Sequence, residues 1–169
     1  MTYRLRSEDP GFLASAPFRQ TCTAELHAPA GPVFDQIAAQ PENWPHWFRP
    51  ANDVRYEGPP PHGVGTMRFF RLYRLIRARE QVTAWDPDER FAYQVHEVNM
   101  PGVRALMEQW TLTPLTGTRT GVRWTLAVDA GPFVHLLLRA SRRHIDRLFQ
   151  DATHRLENLC SASVGGRGR

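Results

Sequence analysis

The 169 residues include 21 Lys+Arg against 17 Asp+Glu, with 41% hydrophobic and 11% aromatic content, enough apolar material for one core and too short a chain for a second of similar size. Every basic residue is arginine, a bias that codon usage explains as readily as phosphate binding, so the net charge of +4 does not argue for a nucleic-acid partner. No apolar run approaches the roughly 18 residues of a membrane span, no N-terminal stretch resembles a secretory signal, and Cys22 and Cys160 form neither a CxxC pair nor a disulfide framework.

Taken in chain order, residues 1–19 give no periodic signal and read as an N-terminal extension. Residues 20–28 alternate, with Cys22, Ala24, Leu26 and Ala28 on one face and Thr21, Thr23, Glu25 and His27 on the other, the pattern of a half-buried strand. Pro29 ends it. Pro32 suits a first helical turn, where its missing N–H would be unpaired anyway, and predicts a short helix over 33–39. Pro41 and Pro45 bracket a second short helical piece that carries Trp44 and Trp47. Six more strands follow at meander spacing, over 53–58, 65–72, 76–85, 91–98, 104–114 and 120–129. Turn residues mark the breaks at 58–63, 86–89, 100–102 and 116–117. From 131 to 160 the spacing predicts a single amphipathic helix, with Val134, Leu138, Ser141, Ile145, Leu148, Phe149, Ala152, Leu156 and Leu159 on one arc and Arg139, Arg143, Arg147 and His154 opposite. The arginine row reads as a solvated face, with a phosphate or membrane-surface contact as the alternative. The Ser/Gly/Arg tail over 161–169 reads as disordered.

The stretch T-C-T-A-E-L-H-A-P-A-G-P-V-F-D-Q-I-A-A-Q-P-E-N-W-P-H-W-F, the strand joints W-D-P-D-E-R-F-A-Y and W-T-L-T-P-L-T-G-T-R, and the closing helix resemble, in that order, the helix-grip fold of the polyketide cyclase and START-like lipid-transfer superfamily, which includes the birch-pollen-allergen family. The resemblance covers residues 20–159. It implies an α+β domain over 20–160, in which a curved seven-stranded antiparallel sheet wraps around a long C-terminal helix, with two short helices after strand 1 and a small-molecule space between helix and sheet.

Period-two alternation then nominates side chains for that space. Phe91, Tyr93 and Val95 share a face, as do Leu106, Glu108, Trp110 and Leu112, and Val122, Trp124, Leu126 and Val128. Glu80 lies with Ile76, Ala78, Val82 and Ala84, and the set Met67, Phe69, Arg71, Tyr73 brings Arg71 inward, whereas a one-residue slip would put Arg68 and Phe70 on the inner face instead. Trp47, Phe69, Glu80, Trp110, Trp124, Leu138, Ser141, Ile145 and Phe149 are the expected ligand contacts. An inward carboxylate must be paired, hydrogen-bonded or protonated. In a polyketide cyclase, aromatase or dehydratase, Arg71 would polarise or hold a carbonyl oxygen, Tyr73 or Tyr93 would donate a proton, and Glu108 would act as base or orient the arginine. The alternative is a carrier or sensor of a lipid, isoprenoid or aromatic molecule without turnover. The seven histidines show no metal-ligand spacing, so neither metal nor cofactor is expected. The expected setting is a cytoplasmic monomer or homodimer that takes a hydrophobic ligand or polyketide intermediate and contacts an acyl carrier protein, without nucleic acid and without stable membrane insertion.

Overall fold

In the computed structural model the backbone is described for residues 1–165 and the side chains for residues 1–161. Strand β1 is the dipeptide Tyr3–Arg4, followed by a single helical turn, α1 (Phe12–Ser15). Strand β2 (Phe18–Leu26) leads through Pro29 into α2 (Ala30–Phe34), which continues as a π-helical turn over Asp35–Ala39. After a 3₁₀ turn at Pro41–Asn43 comes α3 (Trp44–Trp47). The strands β3 (Ala51–Tyr56), β4 (Met67–Leu72), β5 (Ile76–Asp86), β6 (Arg90–Val98), β7 (Val103–Thr116) and β8 (Arg119–Ala130) complete the sheet, and α4 (Pro132–Ala140) and α5 (Arg142–Gly165) close the chain. Pairing is antiparallel along the path β2-β8-β7-β6-β5-β4-β3, with β1 beside β6.

The sheet curls because its long strands carry extra residues. Arg79 pairs with Glu97 and Glu80 with Val95, which leaves His96 unopposed on β6, and Thr83 is left over in the same way on β5. Such bulges bend a strand and sharpen its twist. The bulge at His96 also changes parity, so that Val95 and Val98 both face the concave side. β6 and β7 pair only from Arg90↔Thr111 to Gln94↔Met107. Where they part, the N-terminus fills the gap, with Leu5 N–H donating to His96 O and Arg6 N–H to Arg104 O, both at 2.8 Å.

Residues 1–19, expected to stand outside the domain, therefore belong to its core. Leu5 is buried among Phe18, Val95, Val98 and Val128. On the convex face Phe12 covers Ala105, Met107 and Ala127. Local periodicity could not show this, because apart from Phe18 the named partners of these residues lie some 90 or more positions away. The single closing helix is another correction: it breaks at Ser141 (φ −86°, ψ 0°) into α4 and α5. A serine hydroxyl competes for backbone groups inside a helix. Immediately after it, β2 ties down α5 through Gln20 Nε2 donating to Arg142 O (2.9 Å) and Arg142 Nη2 donating to Arg19 O (3.0 Å). The disordered tail expected from 161 starts instead as helix to Gly165; positions 166–169 lie outside the described residues.

Phe12→Ala should lower unfolding stability by about 3 kcal/mol, the usual scale for emptying a buried phenylalanine site, while leaving hydrophobe binding on the concave side unchanged. Urea unfolding measures it; an unshifted midpoint would mean that α1 does not seal the convex face.

Candidate functional site

The concave face and the first turns of α5 enclose a cavity of about 240 Å³. Its deep end is aromatic: Trp44, Phe70, Trp110, Trp124 and Phe149 all line it, with Trp124 and Phe149 stacked at 6.1 Å and 8°. Bulky rings that must meet at offset or edge-on angles leave space between them that aliphatic side chains would close. Toward the other end the lining becomes aliphatic, with Ile76, Leu106, Met100, Val103 and Ile145. Among these walls stand three ionisable side chains, Glu80, Tyr93 and Glu108.

Glu108 and Tyr93 meet because the β6–β7 register places them directly opposite. Tyr93 OH donates to Glu108 Oε2 at 2.7 Å, and Trp124 Nε1–H, reaching diagonally from β8, donates to the same oxygen at 2.8 Å. Among the described residues Oε1 has no hydrogen-bond partner. Burial and, next, the nearby Glu80 charge push the Glu108 carboxyl up to about 7, against the pull of the Tyr93 and Trp124 hydrogen bonds and of Arg68. Burial and the Glu108 charge also hold Tyr93 well above its ordinary value, so its hydroxyl keeps its proton.

Glu80 is paired with Arg68, a fully buried arginine. Arg68 Nε–H donates to Glu80 Oε2 at 2.8 Å. Nη2 is 2.7 Å from the same oxygen, but its N–H bonds are not aimed at it, and Nη1 has no acceptor. What surrounds the guanidinium instead is a box of rings, with Tyr93 at 4.2 Å, Trp44 at 4.9 Å, Phe91 at 5.2 Å and Phe70 at 5.4 Å. Ring faces attract cations, most strongly where water is absent. Desolvation opposes the charge on Arg68, but the fields of Glu80 and the neighbouring tyrosines outweigh it and the arginine stays ionised. Desolvation likewise pushes Glu80 up, with Arg68 pulling the other way.

The structure thus brings together Tyr93, Glu108, Glu80, Trp110, Trp124, Ile145 and Phe149, all on the cavity wall, and separates the others. Arg71 faces outward, 3.6 Å from Asp53. The pairing Arg68↔Glu80 explains the error: parity alone admits either face of a strand with apolar residues on both, and β4 turns Arg68 and Phe70 inward. Phe69 accordingly lies outside, under the Arg55 guanidinium at 4.3 Å. Tyr73 sits on the β4–β5 turn, 53% exposed, far from any role as proton donor here. Trp47 is buried one layer back, against Trp44 and Trp110. Leu138 packs beside Val134 and Ile145 without reaching the wall, and Ser141 is the helix break. Arg68, inward only in the alternative register, is the residue that takes the place given to Arg71. The tight β4–β5 turn places Leu72 opposite Ile76, and counting back from it pairs position 68 with the already inward Glu80. No group of three or more His, Cys, Asp or Glu among the described residues could hold a metal ion, and none of their helices is long and apolar enough to cross a membrane.

The family model for polyketide cyclase / dehydrase and lipid transport matches residues 18–160. Uncharacterized proteins of Mycobacterium bovis and Mycobacterium tuberculosis are 30% identical over 147 residues, covering 81% of this chain and 86% of each relative. Among solved structures, the Zhui aromatase/cyclase from a Streptomyces species superposes with a TM-score of 0.69 at 16% identity, covering 89% of this chain and 98% of that one. A START superfamily protein from Mycobacterium smegmatis gives a TM-score of 0.64 at 14% identity, over 83% and 98% respectively. At these identities the two solved structures support the fold and no particular activity.

Glu108 also sets a pH dependence. The folded state holds its proton above the unfolded carboxylate range, so the stability it confers is complete at acid pH and is lost as pH rises through about 7. Between about pH 5 and pH 8 this amounts to on the order of 3 kcal/mol. Glu108→Gln, which cannot ionise, should show a flatter stability–pH curve over that window, with the slope due to Glu80 remaining. Urea titrations across the window measure it; identical slopes in both proteins would contradict the environment described for Glu108.

Proposed function

Because the chain belongs to the polyketide cyclase/dehydrase and lipid-transport family, we propose that it binds a hydrophobic, carbonyl-bearing small molecule in the concave cavity and catalyses cyclase- or dehydratase-type proton transfer on it. The observation that carries this reading is Glu108, a carboxyl on the wall of a largely apolar chamber, held 2.7 Å from Tyr93 OH and pushed by burial up to about 7. An acid–base group works best when its pKa lies near the working pH, because both of its forms are then available. A cavity of about 240 Å³, a little under the roughly 300–1,000 Å³ usual for ligand pockets, suits one or two rings or a short chain folded on itself.

The chemistry asked of such a site is modest. In aldol closure of a poly-β-ketone, Glu108 removes a proton from the carbon between two carbonyls, that carbon bonds to a distant carbonyl carbon, and the carbonyl oxygen gains a proton from Tyr93 OH to become a hydroxyl. Glu108, now protonated, gives its proton to the departing hydroxyl, which leaves as water while the Tyr93 oxygen takes the remaining proton of the same carbon and the double bond forms, so that both groups return to their starting state. Holding the two reacting carbons together supplies much of the acceleration. Arg68 does not touch the substrate in this scheme. It is a positioning residue that fixes Glu80 by the ion pair and the Tyr93 ring by cation–π contact. The role expected of Arg71 therefore has no counterpart at that position.

A carrier without turnover is the second reading. It is favoured by the way Tyr93 OH and Trp124 Nε1 are already satisfied by Glu108, which lets an apolar occupant enter without new hydrogen bonds. The two readings part on one measurement. With a soluble poly-β-ketone mimic, Glu108→Gln should lower turnover by roughly 10²–10⁴-fold while a polycyclic hydrophobe still quenches tryptophan emission. Full turnover in the variant would remove Glu108 from the chemistry; quenching by the wild type with no product from the mimic would leave the carrier.

A further inference from the structure

Of the partly exposed residues of the cavity wall, Leu72 and Ile76 lie at the β4–β5 turn, Met100 at the β6–β7 turn, and Ile145 and Leu148 at the start of α5, and these segments form its mouth. These segments are tied together. Asn99 Nδ2–H donates to Leu75 O (2.8 Å) and Arg77 N–H to Asn99 Oδ1 (2.7 Å). Gly131 N–H donates to Gly102 O (2.7 Å). Gly102, at φ +87°, lets the turn close on α4: a Cβ there would meet Val134 Cγ2 at 3.0 Å.

Around this mouth large apolar side chains point into solvent. Leu75 is 74% exposed, Phe133 73%, Leu136 65%, Tyr73 53% and Leu137 50%. α4 has the sequence PFVHLLLRA and no fully buried residue, although a helix so apolar is ordinarily covered. His135 meets Phe18 of β2 edge-on, so Phe133 and Leu137, on the other flank of α4, turn away from that edge into solvent. The β4–β5 turn departs from local preference as well. Both of its central residues, Tyr73 (φ 49°) and Arg74 (φ 61°), occupy the left-handed region where Asn or Gly is usual. Tyr73 N–H donating to Pro50 O (2.8 Å) and Arg74 N–H donating to Asn52 Oδ1 hold the turn in this conformation, with the Tyr73 ring left exposed.

Charge is distributed to match. Residues 58–79 contain five arginines and no acid, and residues 130–145 contain three arginines and no acid. The nearby acids are occupied: Asp53 by Arg55 and Arg71, Glu57 by Arg79, and Asp146 by Gln20 and Cys22. Among the described residues Arg74, Arg77, Arg139, Arg143 and Arg147 have no ion-pair partner.

We infer that this rim docks the cavity mouth on an anionic lipid surface, with Tyr73, Leu75, Phe133 and Leu137 entering the interface and the free arginines engaging lipid headgroups. A bilayer suits the geometry better than a folded protein does. The exposed apolar side chains stand on two segments, the β4–β5 turn and α4, and a fluid lipid layer covers both without needing a complementary shape. Arginines around apolar residues follow the pattern by which peripheral proteins hold to anionic leaflets. A hydrophobic occupant would then pass between lipid and cavity with little exposure to water. Contact at the surface leaves the protein peripheral, with no spanning segment.

Co-sedimentation with vesicles tests the inference, using phosphatidylcholine alone and an equimolar mixture of phosphatidylcholine and phosphatidylserine. The full chain should sediment with the mixed vesicles and not with the neutral ones, and should be released by salt. Arg74→Glu with Arg143→Glu, and separately Phe133→Ser with Leu137→Ser, should each weaken binding by about tenfold or more. In both variants melting temperature and hydrophobe quenching in solution should stay unchanged, since none of these residues lines the cavity. Absence of binding to the mixed vesicles, or binding unchanged in both variants, would overturn the proposal. So would a dimer in solution that the Phe133/Leu137 variant dissolves, or retention by an acidic protein in place of vesicles, because either would name a different occupant for the rim.

Discussion

The buried Arg68–Glu80 pair is the constraint around which the rest of the interior is arranged. Removing two charges from water costs several kcal/mol per ion, and their mutual attraction repays this only with good geometry and further contacts. Here the further contacts are aromatic. With Nη1 lacking an acceptor, the guanidinium depends on the faces of Tyr93, Trp44, Phe91 and Phe70, so the rings that build the deep wall of the cavity are also the solvent for this cation. A well-packed apolar pair in its place could be at least as stable. What would be lost is the Glu80 charge, which after burial is the main influence raising Glu108, together with the anchor beneath Tyr93. The pair thus links core packing to the proton affinity of the site.

Cavities are expensive in a medium packed as densely as a protein interior, and this one persists because the backbone prevents its collapse. Bulges at Thr83 and His96 bend the central strands, and β1 wedges open the sheet where β6 and β7 separate. Flattening onto α5 would require the sheet to expel Leu5 from its inner cluster and Phe12 from its outer one. The N-terminal segment therefore acts on the site from both faces without contributing an atom to the cavity wall.

Interior and rim carry opposite electrostatic character. Inside, the buried Arg68 is paired with Glu80, and Glu108, facing the space, is a carboxyl with affinity for a proton near neutrality. Outside, arginines predominate and several are unpaired. A neutral, weakly polar molecule meets no charge barrier in either direction, whereas an anion drawn to the rim would face two carboxyl groups within. The break at Ser141 separates the roles of the closing helix: α5 covers the cavity, and α4 hangs beyond it with its apolar flank uncovered.

Much of this architecture is legible from sequence. The strand-forming alternation, the proline-started helices and the amphipathic arc from Ile145 to Leu159 are local signals, and each is fixed by residues within a few positions of one another. They yield the helix-grip order, the inward faces of β6, β7 and β8, and with them Tyr93, Glu108, Trp110 and Trp124. Arg68 was not legible by parity, because β4 has apolar residues on both faces and only its pairing with β5 chooses between them. The pairing of Leu5 with β6, the break at Ser141 forced by ties to β2, and the proton affinity of Glu108 all depend on groups distant in the chain. Sequence by itself determined which elements form and which side chains share a face, since those follow from the geometry of one strand or one helix. Only the tertiary structure decided which face is inside, which charges meet there and how strongly water is excluded from them, because burial and Coulomb energy are properties of the assembled neighbours and of no single element.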